Sequence, residues 1–152
     1  MLSSRARYAT RALLDLSLQH PSGPVLIQDI ATRQKIPLKY LQQILLDLKQ
    51  AGFVNSRKGP GGGYSLARPP EQITLGQVLT AMDGAIVDLS CNVTSHYHEC
   101  GCPHPDACAI REAFNNLAQA MVQVLNQTSF ADLRDRQRLA DEGVIKVLDY
   151  II

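Results

Sequence analysis

The chain has no run of eighteen apolar residues, so no segment is a candidate membrane span. Its start, Met1-Leu2-Ser3-Ser4-Arg5, lacks the apolar stretch of a secretory signal, and a cytosolic protein is expected. There is no internal repeat and no low-complexity stretch. With 45% hydrophobic and 19% charged residues, a folded core is expected over disorder. Enzyme signatures are also missing. No paired carboxylates sit in a pocket-like setting, and no nucleophile stands beside a placed base. Gly59-Pro60-Gly61-Gly62-Gly63 is glycine-rich but lacks the Lys-Ser/Thr that completes a phosphate loop. Cysteine is absent from the chain except at Cys91, Cys100, Cys102 and Cys108.

Acidic residues are scarce in the first part of the chain. Residues 1–70 hold ten Lys and Arg against Asp15, Asp29 and Asp47, a net +7; residues 71–152 carry a net −6. Such asymmetry places a nucleic-acid surface on the first half.

Hydrophobic spacing divides the chain into elements. Ser3 or Ser4 caps a helix reaching about residue 20, with Ala9, Ala12, Leu13 and Leu16 on one face. Pro21-Ser22-Gly23-Pro24 ends it. A second helix buries Ile27, Ile30 and Ala31. A third begins after Pro37, buries Leu41, Ile44, Leu45 and Leu48, and stops at Gly52. Phe53-Val54-Asn55-Ser56 and Tyr64-Ser65-Leu66-Ala67 read as two strands of a hairpin joined by the glycine-rich turn. Thr74 caps a helix ending at Gly84. A long helix spans 109 to about 127, with Ile110, Phe114, Leu117, Met121 and Val124 forming a seam suited to another helix. A helix packed on its own domain has the same periodicity. Residues 128–152 are a polar stretch, either a helix packing back or a frayed end, with an apolar tail from Val144.

Helix, turn, helix and basic hairpin is the order of a winged helix-turn-helix. The expected fold is mainly α with a small β-hairpin, plus a long dimerisation helix. With its apolar stripe buried, the third helix offers Lys39, Tyr40, Gln42, Gln43 and Lys49 outward. Gln reads adenine edges in the major groove, while Lys and Tyr hold phosphates. Arg57 and Lys58 at the wing tip suit a minor groove or phosphates. Gly59, Gly61 and Gly62 are expected to let backbone N–H groups approach a duplex.

The four cysteines share one loop that also carries glycine, proline and histidine, as thiolates gathered for a metal or a redox reaction do. Iron–sulfur clusters and zinc both suit thiolates, and a clusterless thiol switch uses the same residues. His104 is a further candidate ligand, and His96, His98, Glu99 and Asp106 are others. A Cys-x-x-Cys oxidoreductase motif is absent; the chain has Cys100-Gly101-Cys102.

Residues 2 to about 133 resemble the IscR/NsrR-type iron–sulfur regulators, winged-helix transcription factors of the Rrf-two family. The resemblance rests on Ser4-Arg5-Ala6-Arg7-Tyr8-Ala9, Ala12-Leu13-Leu14-Asp15, Asp29-Ile30-Ala31, Tyr40-Leu41-Gln42-Gln43-Ile44-Leu45 and Gly52-Phe53-Val54. Above all it rests on Arg57-Lys58-Gly59-Pro60-Gly61-Gly62-Gly63-Tyr64. It implies a cytoplasmic homodimer on a near-palindromic DNA operator, with Lys58 in the minor groove. It also implies a two-iron or four-iron cluster held by three cysteines before the long helix. Cys91 and Cys108 match the first and last of these. The middle ligand is Cys100 or Cys102. Family branches take a fourth ligand from a histidine at the position of Arg111 or an acidic residue at that of Arg7, and this chain has neither. The resulting organisation is a winged helix-turn-helix over 1–84, a cysteine-bearing loop over 85–108, and a dimerisation helix with C-terminal tail over 109–152. The function implied is transcription regulation controlled by a cluster that senses redox, nitric oxide or iron–sulfur status. A zinc-stabilised or thiol-switch regulator, or a metabolite-responsive family member without a cluster, are the alternatives.

Overall fold

The computed structural model describes residues 2–84 and 108–143. Among the described residues six α-helices build one apolar core, with a two-stranded antiparallel wing at its edge. Helix α1 (Ser4–Gln19) is the centre of the packing. The Ser3 hydroxyl accepts from the Ala6 N–H to cap it. Asp83, at the end of α4, in turn accepts from both Ser3 N–H and Ser3 Oγ–H. These bonds hold the Asp83 carboxyl below its usual range. Ala6, Ala9 and Ala12 are fully buried; their small size lets α4 (Leu75–Asp83) and α6 (Phe130–Asp141) approach the α1 backbone closely.

Helices α2 (Ile27–Gln34) and α3 (Leu38–Gln50) form the helix-turn-helix. Lys35 closes α2 in the left-handed region (φ 49°), and Pro37 occupies the N-cap of α3. The C-terminus of α3 is a Schellman motif. Gly52 (φ 77°) donates to the Lys49 carbonyl and Phe53 to the Leu48 carbonyl, turning the chain into the wing. Asp15, 2% exposed, ties α1 to α2 by accepting from Arg33 Nε (2.9 Å), Arg33 Nη2 (2.7 Å) and Gln34 Nε2 (3.1 Å). An Arg33→Ala variant is therefore expected to lose about 3 kcal/mol, because it leaves a buried carboxylate without its cation. Urea unfolding monitored by circular dichroism checks this.

The wing pairs β1 (Val54–Arg57) with β2 (Gly63–Leu66), Val54 opposite Leu66 and Arg57 opposite Gly63. Both strands lie about one residue from their sequence-based positions. A β-bridge from Val25 extends the pair: Val25 and Tyr64 exchange both backbone hydrogen bonds at 2.8 Å.

After a short 3₁₀ turn at Pro70–Gln72, the N-termini of α4 and α6 are joined back to back. Each has a capping box, Thr74 with Gln77 and Ser129 with Asp132. Between them the Leu75 N–H donates to the Thr128 carbonyl, and the Phe130 N–H to the Ile73 carbonyl. Phe130 is fully buried, so the segment after the long helix packs back on α1 rather than fraying. Helix α5 (Ala109–Gln127) crosses α4 where Gly76 meets Asn126, whose side chain a Cβ at position 76 would displace. The apolar tail from Val144 lies outside the described residues.

Candidate nucleic-acid interface and cysteine-bearing segment

Burial of Leu41, Ile44, Leu45 and Leu48 rotates the rest of α3 outward. Lys39, Tyr40, Gln42, Gln43 and Lys49 are all exposed. Tyr40 is not isolated. Its ring meets Tyr8 of α1 edge-on, centroids 5.7 Å apart, and the guanidinium groups of Arg7 and Arg11 lie 5.5 and 5.8 Å from the centre of the Tyr8 ring. Arg11 also donates to the Gln34 carbonyl. The basic face of α3 thus continues onto α1, a continuity that the sequence reading did not include.

Two polar contacts order side chains on this face. Lys49 Nζ donates to Ser56 Oγ at 2.7 Å, linking α3 to β1. Gln43 Nε2 donates to Asp47 Oδ1 at 3.0 Å, and Asp47 Oδ2 receives Arg5 Nε (3.1 Å) and Nη2 (2.9 Å). Residues Arg5 and Asp47 were absent from the sequence-based site. The Gln43–Asp47 spacing of one helical turn is readable in the sequence; the Arg5 contact, 42 residues away, is not.

At the wing tip Arg57 and Lys58 are exposed, as are Gly59 and Gly61. The Gly62 N–H closes the turn on the Gly59 carbonyl at 2.9 Å. Two wing glycines have a further, internal reason. A Cβ on Gly62 would strike the Arg57 and Gly59 carbonyls, and one on Gly63 the Val25 carbonyl. Their bareness is required for the wing to fold against itself and against Val25, whatever approaches it from outside.

Cys91, Cys100, Cys102 and His104 lie outside the described residues, as do His96, His98, Glu99 and Asp106. Cys108 is described. It is the half-buried N-cap residue of α5, extended at φ −90°, ψ 106°, and its side chain makes no capping hydrogen bond. Its carbonyl accepts the Glu112 N–H, so its backbone belongs to the first turn. The donor chemistry of residues 91–108, four thiols and three histidines, fits a thiolate-bound metal group.

One face of α5 serves the chain's own fold, with Ala118 buried and Leu125 packed against the core. The other carries Ile110, Phe114, Leu117, Met121 and Val124, exposed by 63%, 38%, 51%, 43% and 62%. The seam is therefore not consumed by packing within the described chain. No helix among the described residues is long and apolar enough to cross a membrane.

Comparison with known proteins places these features in a family. Residues 2–136 match the Rrf2 family, described as iron-dependent transcriptional regulators. The chain is 36% identical over 140 residues to the HTH-type transcriptional regulator IscR of Cronobacter sakazakii, covering 92% of this chain and 83% of that protein. It is 34% identical over the same span and shares to IscR of Klebsiella pneumoniae. Among solved structures, it resembles CymR, the global cysteine regulator of B. subtilis (TM-score 0.75, 28% identity, 90% of this chain and 97% of that one). It also resembles IscR of T. potens (TM-score 0.72, 26% identity, 97% and 93%). The chain belongs to the Rrf2 family and is a winged-helix, DNA-binding transcriptional regulator.

Proposed function

We propose that the protein is a cytoplasmic homodimer that binds a near-palindromic operator, with an affinity set by an iron–sulfur cluster on the cysteines of residues 91–108. The observation that carries this reading is the position of Cys108. A candidate ligand caps the very helix that carries an apolar seam left exposed by the described residues. Ligation at Cys108 acts on the first turn of α5, and through α5 on the spacing of the two recognition helices. The units proposed are a DNA-binding part over 1–84, a cluster loop over 85–108 and a dimerisation part over 109–152. The last also contributes α6 to the core around α1.

The ligands proposed are Cys91 and Cys108, completed from Cys100, Cys102 and His104. When bound, the cluster supplies a link among these thiolates that oxidation, nitric oxide or iron shortage breaks. The chain's own residues do the rest. Gln42 and Gln43 face base edges, Lys39, Tyr40 and Lys49 face phosphates, and Arg57 and Lys58 enter the minor groove with the backbone of Gly59 and Gly61 close behind; Gly62, buried and with its N–H spent on the Gly59 carbonyl, shapes the turn instead. Arg7 and Arg11, beside Tyr40, extend the phosphate contact.

Anaerobic purification with iron, acid-labile sulfide and zinc assays, followed by duplex titration at graded salt, tests both halves. Matched iron and sulfide, with duplex affinity that changes on removing the cluster, supports the reading. Stoichiometric zinc without iron overturns the cluster, and binding indifferent to salt overturns the phosphate contacts. Lys58→Ala is expected to weaken binding about five- to tenfold on all sequences and to lower the salt slope by about one. Gln43→Ala instead changes base preference by about 1–3 kcal/mol at one base pair of each half-site. Competition titrations distinguish the two patterns.

A further inference from the structure

We propose that Asp47 is a positioning residue for DNA specificity: anchored by Arg5, it fixes the side-chain amide of Gln43 in the orientation that reads a base edge. This rests on the reading of Gln43 as a base contact. A carboxylate only accepts, so the group Gln43 turns toward Asp47 must be its NH₂. The amide is thereby oriented. One N–H is used by Asp47 Oδ1, leaving the second N–H and the Oε1 acceptor on the solvent side. One donor and one acceptor side by side are what the N7 and N6 groups of adenine require in the major groove. An amide rotated by half a turn presents its oxygen to Asp47, and two like partial charges meet.

The anchor is itself held. The Asp47 side chain is only 15% exposed, and its other oxygen is gripped by Nε and Nη2 of Arg5. Arg5 makes a third contact, Nη1 to the Met82 carbonyl at 3.2 Å, at the C-terminal end of α4. Gln43 is thus oriented by α1 and α4 as well as by its own helix. The charge pattern agrees with this role. A carboxylate on a face that meets phosphates repels them, and the Arg5 guanidinium offsets that repulsion while leaving the acceptor available. A long, exposed glutamine otherwise samples many rotamers and loses that freedom on binding. The Asp47–Arg5 pair removes part of this loss before DNA arrives.

The test measures base preference with the full-length protein. Duplexes selected by the wild-type protein from a random library define the site, and every single-base variant of it is then titrated. Gln43→Ala is expected to abolish discrimination at one base pair per half-site. Asp47→Ala is expected to reduce discrimination at that same base pair about three- to tenfold, leaving the other positions as they were. In a Gln43→Ala background Asp47→Ala is expected to change that position no further. Asp47→Asn keeps one acceptor oxygen and the side-chain volume, and is expected to lose about half as much on a logarithmic scale. It decides the matter should the alanine variant melt too low to assay. If Gln43→Ala removes the preference and both Asp47 variants retain it, the inference fails while the reading of Gln43 stands. If Gln43→Ala changes no position, that reading fails and the inference goes with it. Uniform weakening at every position, tracking the melting temperature, would reduce Asp47 to a structural residue.

Discussion

Replacing Leu117 and Met121 together by aspartate is expected to convert the proposed dimer to a monomer and to lower its affinity for a two-half-site duplex by at least about a hundredfold. Both side chains are exposed, at 51% and 43%, so the substitution removes little packing within the chain. What it changes is the seam. Ile110, Phe114, Leu117, Met121 and Val124 recur every four and three residues, and helices associate through such a stripe. Paired across a two-fold axis, Leu117 and Met121 lie near its centre, and aspartates there would face each other without water. Linking two half-site readers in one molecule makes the second binding event intramolecular, and a monomer loses that advantage. Gln119→Asp, on the same helix but off the seam, is the control for the lower helix propensity of aspartate. Sedimentation equilibrium and duplex titration read the two effects. A double variant that remains dimeric overturns the seam as the interface.

The long helix was legible to the residue, from 109 to 127, because an unbroken seam gives a strong periodic signal. The helix-turn-helix was equally clear, since each helix carries its own apolar stripe and the third its stop at Gly52; the left-handed end of α2 at Lys35 carried no such mark. The wing strands were displaced by about one residue, because hairpin edges depend on pairing and not on local composition. Helix α6 left the faintest trace. Its inward apolar residues crowd into the first turn, at Phe130, Ala131 and Leu133, while Leu139 near the other end is exposed, and the charged run between them carries no period. The signal that was there is the Ser129–Asp132 capping box, just ahead of a fully buried phenylalanine.

The candidate site shows the same division. Outward positions on α3 follow from the buried stripe, so Lys39, Tyr40, Gln42, Gln43 and Lys49 were readable as an exposed face. Their partners were not. Tyr8 reaches Tyr40 from another helix, and Arg5 reaches Asp47 across 42 residues. Such contacts arise from tertiary packing and leave no spacing in the sequence. The wing glycines were expected to admit a duplex. Gly62 and Gly63 also have a steric role within the chain, which appears only when the Val25 bridge is seen.

Cys108→Ser is expected to abolish iron and sulfide uptake while raising the stability of the metal-free protein, two effects of opposite sign from one atom. Cys108 occupies the N-cap of α5 in the extended conformation that capping requires, but its side chain accepts no hydrogen bond there. Serine is among the preferred N-cap residues, and its hydroxyl would accept from a first-turn N–H, worth about 0.5–1 kcal/mol. Serine is also a poor substitute for a thiolate toward iron, so ligation at this position ends. Cys108→Ala should lose the metal equally with little change in stability, since neither cysteine nor alanine caps. Iron and sulfide assays after anaerobic reconstitution, beside urea unfolding of the metal-free variants, separate the two effects. A Cys108→Ser protein that is more stable and still fills with iron and sulfide would leave Cys108 as a capping position only. The ligands would then have to come from Cys91, Cys100, Cys102 and His104. Loss of metal together with loss of stability in both variants would instead mean that the thiol packs against something the hydroxyl cannot replace, and the uptake defect would follow from misfolding.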